Sequence, residues 1–223
     1  MTRAASEVFA AVKKGDHAAV ERLVRADPAL LDVRENGVTP LLTAYYYGQN
    51  EVAERLRALR PPVDIFEAAA AGDGVRVREL IARDPGSVNA YAEDGFQPLG
   101  LAAFFKRPDV VRVLLDAGAD PNAVSRNAMK VTPLHSAVAD DGHGAIARML
   151  LAAGADPNVR QRHGWTPLHG AAHMGDVELL RLLLEKGADA SAANDEGKTA
   201  LAIANERGHQ GAVAFLRKRG ARA

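Results

Sequence analysis

An alanine returns along this chain at a nearly constant interval. Ala11, Ala44, Ala68, Ala102, Ala137, Ala171 and Ala204 are separated by 33, 24, 34, 35, 34 and 33 residues. Three positions before each stands Leu, Val or Ile. A period in the low thirties belongs to a stack of like units, not to a globular domain. In such a stack each unit buries its apolar flanks against its neighbours, so length alone does not count domains.

The phrases around the alanines explain the unit. Thr132-Pro133-Leu134-His135 returns as Thr166-Pro167-Leu168-His169. Weaker copies are Thr39-Pro40-Leu41-Leu42, Gln97-Pro98-Leu99-Gly100 and Thr199-Ala200-Leu201-Ala202. Thr reads as an N-cap, and Pro suits the first helical position, where a missing N–H costs little. The small alanine lets the next unit approach. Gly15, Gly48, Gly72, Gly175 and Gly208 then break the chain. A second helix follows, with apolar residues at helical spacing, as in Val111, Leu114 and Leu115 or Leu180, Leu183 and Leu184. Gly118, Gly154, Gly187 and Gly220 fall just past it, where a left-handed cap favours glycine. Gly118-Ala119-Asp120-Pro121-Asn122 and Gly154-Ala155-Asp156-Pro157-Asn158 share one ending, kept in part at Gly187-Ala188-Asp189.

These phrases resemble the ankyrin repeat, and the resemblance runs from about Ser6 to Arg219. It implies an all-α solenoid of stacked helix-turn-helix units with projecting β-turn fingers. Seven units are expected in a single domain spanning 1–223, at about 5–34, 35–62, 65–91, 92–124, 125–159, 160–192 and 193–223. The resemblance also implies a binding scaffold or adaptor, not an enzyme, whose concave side meets another protein.

Two irregularities stand out. The step from Ala44 to Ala68 is short, and Arg60-Pro61-Pro62-Val63-Asp64 stands where a finger is due. Two prolines favour a stiff, extended link, so the finger row should have a gap there. Secondly, Val8-Phe9, Gly15-Asp16 and Asp27-Pro28 match Ile65-Phe66, Gly72-Asp73 and Asp84-Pro85 at an offset of 57, which reads as duplication of a two-unit block. One extra residue near Asp140-Asp141-Gly142 should bulge a turn in the fifth unit.

By the family pattern, the concave side is lined by finger tips and by positions two and three residues after each anchor alanine. Here these give Tyr46, Tyr47, Phe96, Phe104, Phe105, Met129, Arg162, His163, Trp165, His173 and Met174 as the expected partner-binding residues. Six of the chain's eleven aromatic residues fall on this face. Aromatics supply large contact area at low entropy cost. Two readings stay open for the Tyr and Phe pairs: a partner surface, or filling of the gap left by the missing finger. Arg126, Lys130, Arg160, Arg162 and His163 make a basic edge beside the patch, suited to an acidic segment of a partner or simply solvated. Arg217, Lys218, Arg219 and Arg222 suit a polar end-cap that stops further stacking.

Acidic and basic residues number 28 each, which argues against general nucleic-acid binding. Without cysteine there are no disulfides, thiolate nucleophiles or cysteine zinc sites. The first fifteen residues lack the apolar core of a secretion signal, and no apolar run approaches the ~20 residues of a membrane span. A cytoplasmic monomer without cofactor or metal is expected. His135 and His169 belong to the repeat phrase, and His17, His143 and His209 repeat in the inter-helix turn. Only His163 and His173 offer an alternative, a small hydrolase or metal site, and two histidines fall short of a zinc ligand set. Weak nucleic-acid binding through the basic edge is the other alternative. Gly142-His143-Gly144 lacks the Lys-Ser/Thr of a phosphate loop.

Overall fold

In the computed structural model, residues 2–139 and 144–221 are described. They form seven antiparallel helix pairs in chain order: α1 (Arg3–Lys14) with α2 (His17–Ala26), α3 (Pro40–Tyr46) with α4 (Asn50–Leu59), α5 (Ile65–Ala71) with α6 (Gly74–Arg83), α7 (Pro98–Phe104) with α8 (Pro108–Asp116), α9 (Pro133–Ala137) with α10 (Gly144–Ala152), α11 (Pro167–Met174) with α12 (Val177–Glu185), and α13 (Ala200–Glu206) with α14 (Gln210–Lys218). First helices pack on first helices at every junction, and second helices on second helices at every junction but that of α4 and α6. Asp140, Asp141, Gly142, His143 and Arg222 lie outside the described residues, and with them the expected bulge of the fifth unit.

The first helices begin as their phrases imply. Thr39, Thr132 and Thr199 accept from the backbone N–H three residues on, at 3.3, 3.4 and 3.3 Å. In the two TPLH units the histidine adds a second tie. Nδ1 of His135 accepts from the Thr132 N–H at 3.2 Å, which leaves Nε2 to donate to the Trp165 carbonyl at 3.3 Å. His169 repeats this with Thr166 (3.1 Å) and the Lys198 carbonyl (3.0 Å). Each histidine thus closes its own cap and reaches the next finger. Leu134, Leu168 and Leu201 point inward beside the wholly buried anchor alanines. A leucine buried this way contributes about 1.5–3 kcal/mol.

Consecutive units are also stitched on their outer faces. The Asn89 amide donates to the Gly118 carbonyl (3.1 Å) while its oxygen accepts from the Asp120 N–H (2.9 Å). Asn122 does the same to Gly154 and Asp156, and Asn158 to Gly187 and Asp189. The recurring Asn therefore fixes the spacing of one unit to the next. Gly118, Gly154, Gly187 and Gly220 adopt φ between 81 and 90°, the left-handed cap expected of them. Gln49, Arg107 and His209 each reach back from an inter-helix turn to a carbonyl of the preceding first helix, at Lys13, Ala70 and His173.

The first two units differ. Their core is a separate cluster, running from Ala5 to Leu56 and ending at Ala70 and Ala71, whereas a second continuous core runs from Ile65 to Leu216. The 3₁₀ turns Pro28–Leu31 and Pro85–Asn89 follow only the second helices of the first and third units, matching the duplicated block. Where the finger is missing, a charged network closes the link. Glu67 is 1% exposed. It accepts from the Arg60 guanidinium (both contacts 3.1 Å), the Thr39 hydroxyl (2.6 Å) and the Val63 N–H (3.0 Å). Arg60 also donates to the Leu31 carbonyl at 3.0 Å, in the place where later units use asparagine.

Candidate functional site

The fingers present a second ladder. Each is closed by its own backbone bond: Ala92 to Phe96, Ser125 to Val131, Gln161 to Trp165 and Asn194 to Lys198, all between 2.8 and 2.9 Å. Neighbouring fingers are then joined, Arg126 N–H to Gly95 (2.8 Å), Arg162 to Met129 (3.0 Å) and Asp195 to His163 (3.0 Å). Fingers four to seven are therefore one continuous rail. At its turn Gly164 has φ 71°, and an added Cβ would stand 2.3 Å from Asp195 Oδ1 and 2.9 Å from its backbone nitrogen. Glycine there lets the sixth finger press on the seventh and sets the direction of Trp165.

Between this rail and the first helices lies an open groove of about 410 Å³. Tyr46, Phe96, Phe104, Met129, Trp165, His173 and Met174 line it, all expected on the partner face. Its walls come only from α3, α7, α9, α11, their C-terminal turns and the fingers. No Asp, Glu, Lys or Arg is among the lining residues. Phe104 and Met129 keep 45% and 53% of their surface exposed, so the groove is open to a large apolar group.

Nine further wall residues, Val138, Gln161 and Gly170 among them, are outside the expected partner-binding set. A Cβ on Gly170 would meet Val138 Cγ2 at 2.9 Å, so the glycine lets the end of α9 close on α11. The glycine after Leu168-His169 was the available signal, because the other TPLH unit carries Ser136 there.

Tyr47, Phe105, Arg162 and His163 sit off the groove wall. Tyr47 is exposed near Lys13 Nζ, 5.8 Å from its ring centre. Phe105 packs against Tyr45 and Tyr46 with centroids 5.7 and 5.4 Å apart. Tyr46 and Phe105 each touch both cores, at the level of α5, whose last four residues are alanine. The two readings of the aromatic pairs therefore divide by residue. Phe105 bridges the units on either side of the fingerless one, Phe104 faces the groove, and Tyr46 does both. Arg162 and His163 are exposed on the sixth finger, His163 at φ 62°.

Burial disfavours the charged forms of the titratable groups in and beside the groove. Burial pushes the His135 imidazole down to about 4. Burial lowers His169 too, and His173 is lowered by burial and then by Arg207 and His209. Tyr46 is raised by burial and by Asp94, whose carboxylate accepts from its hydroxyl at 2.8 Å. The His173 ring rests on Trp165, centroids 5.6 Å apart. Among the described residues no group of three His, Asp or Glu gathers as a metal site.

In the basic edge, Arg126 stacks on Tyr91 at 3.7 Å, and Arg160 pairs with Asp195. Lys130 and Arg162 form no ion pair among the described residues. At the far end Arg219 and Arg181 lie over Phe215, and Arg217 and Lys218 face solvent. Among the described residues no helix is long and apolar enough to cross a membrane.

Comparison with known proteins agrees with this architecture. Residues 65–161 and 134–223 match a family model described as ankyrin repeats in three copies. The chain is similar to human neurogenic locus notch homolog protein 4, 39% identical over 151 residues, 67% of this chain and 7% of that protein. It is similar to human neurogenic locus notch homolog protein 2, 40% identical over 80 residues, 36% of this chain and 3% of that protein. The Neurogenic locus Notch protein of Drosophila melanogaster is 36% identical over 98 residues, 44% of this chain and 4% of that protein. The chain thus spans no more than 7% of the length of these relatives. With the family model covering well over half its length, and the capped helix pairs and finger rail in place, the chain belongs to the ankyrin-repeat family.

Proposed function

We propose that the chain is a scaffold that holds a partner protein in the groove between its fingers and first helices. Ankyrin repeats are protein–protein interaction modules, and the finer assignment rests on one observation. Four of the six aromatic residues spaced for the partner face, with Met129 and Met174, meet in a single uncharged groove instead of scattering along the stack. Burying two or three such side chains supplies several kcal/mol before the costs of association. The groove suits a protein better than a nucleic acid, because no cation lines its wall to neutralise phosphate. An adaptor acting as a cytoplasmic monomer is the setting this reading favours.

The test is affinity enrichment from cells of the source organism with the full chain and with Phe104→Ala/Trp165→Ala. Both rings are partly exposed and lie at the groove, so far-UV circular dichroism should stay unchanged. A specific partner should be lost with the double variant. Equal recovery by both proteins would rule the groove out.

A further inference from the structure

We infer that the segment seated in the groove carries a large apolar side chain flanked by carboxylates. This rests on the reading of the groove as the partner site and adds the chemistry of the occupant. The groove floor is uncharged, and its volume of about 410 Å³ falls within the roughly 300–1,000 Å³ of pockets that bury a sizeable apolar group. Its rim is different. Lys130 follows the wall residue Met129, and Arg162 follows the wall residue Gln161. The Arg162 N–H to Met129 carbonyl bond, 3.0 Å, sets these two cations on adjoining fingers. Arg207, at the end of α13, lies close enough to His173 to act on its imidazole.

None of these three cations has an ion-pair partner among the described residues, whereas four nearby acids are engaged. Asp94 holds the Tyr46 hydroxyl, Asp195 pairs with Arg160, and Glu196 and Glu206 both pair with Lys198. Glu93 packs over Gly37 of the second finger. On the fifth and sixth fingers Arg126, Lys130, Arg160 and Arg162 stand with no acid among them, so this stretch of the rim is basic although the chain is neutral overall. Because these cations stand beside the wall residues and not in the wall, an occupant that uses them must extend over the groove's rim, as a peptide segment does. Carboxylates on both sides of the apolar anchor meet that requirement and improve encounter rate and register.

Selection of short random peptides displayed against the full chain tests this directly. The enriched pool should carry Leu, Met, Phe or Trp with Asp or Glu on either side. One selected peptide, titrated by Trp165 fluorescence at low salt, should bind Lys130→Glu/Arg162→Glu roughly tenfold more weakly. That variant should in turn prefer the same peptide with Lys in place of its acids. An apolar pool without acid enrichment, or one indifferent to the charge reversal, overturns the inference and leaves the groove reading standing. A purely acidic pool, or one displaced by a single-stranded oligonucleotide at equal charge, overturns it as well. A pool indifferent to Phe104→Ala/Trp165→Ala, or no enrichment at all, overturns both.

Discussion

Units four to seven and units one to three stack the same helix pair by different means. The later units use repeated neutral ties: a backbone bond from finger to finger, in two units a histidine that reaches the next finger, and an asparagine bridge on the outer face. The earlier junction has no finger and no asparagine bridge. It substitutes the buried Glu67–Arg60 network below and the Tyr45, Tyr46, Phe104 and Phe105 rings above. A ladder of equal neutral contacts spreads load along the stack, as in a chain of nearest-neighbour interfaces. A single ionic knot concentrates it, because a buried charge that loses its partner is costly.

The largest expected effect breaks that knot. Glu67→Ala leaves Arg60 without its main counter-charge and should cost about 3–5 kcal/mol. Trp165 is the sole tryptophan and lies in the later block, whereas circular dichroism sees every helix. In urea, the dichroism change of this variant should therefore precede the fluorescence change. Leu168→Ala, at about 2–5 kcal/mol, should make the fluorescence change come first. Coincident transitions in both variants would mean that the two blocks form one cooperative unit.

Next in size is a dependence on pH carried by the later block. His135 has its folded value pushed down to about 4, below the ~6.5 of an unfolded histidine. Its contribution is complete above about pH 6.5 and is lost as pH falls, because the unfolded chain takes up the proton first. The loss should approach 1.4 kcal/mol per pH unit and level off near pH 4, about 3 kcal/mol in all. His169 adds in the same direction. The difference in urea midpoint between pH 7 and pH 5 should shrink in His135→Gln. An unchanged difference would place the acid sensitivity elsewhere.

Smaller changes sharpen the contrast. Asn122→Ala removes both bridges to the fifth unit and should cost about 1–2 kcal/mol, seen first by fluorescence. Tyr46→Phe loses the bond to Asp94 while keeping the ring between the two cores, and should cost about 1 kcal/mol.

The regular half was legible because each of its ties has its own residue type at a fixed place. Thr-Pro-Leu-His, Gly-Ala-Asp-x-Asn and the anchor alanines each perform one local task, so spacing reveals both element and role. The gap at Arg60–Asp64 was equally plain from the short step and two prolines. What closed that gap was not, since Glu67 reads as an ordinary exposed helix residue until Arg60, Thr39 and Val63 converge on it. The same holds for the site. The spacing marked which side chains share a face, and Tyr46, Phe96, Phe104, Trp165 and Met174 do meet. It did not separate Phe104 from Phe105. One residue of helix rotation puts the first ring in the groove and the second against Tyr45 and Tyr46.

Amide hydrogen exchange of the full chain, with and without a bound selected peptide, bears most directly on the groove as the partner site. Protection should rise in 96–105, 129–139 and 161–174 and stay unchanged in the second helices α6, α8 and α12. Protection that grows on those second helices while the fingers exchange freely would contradict it.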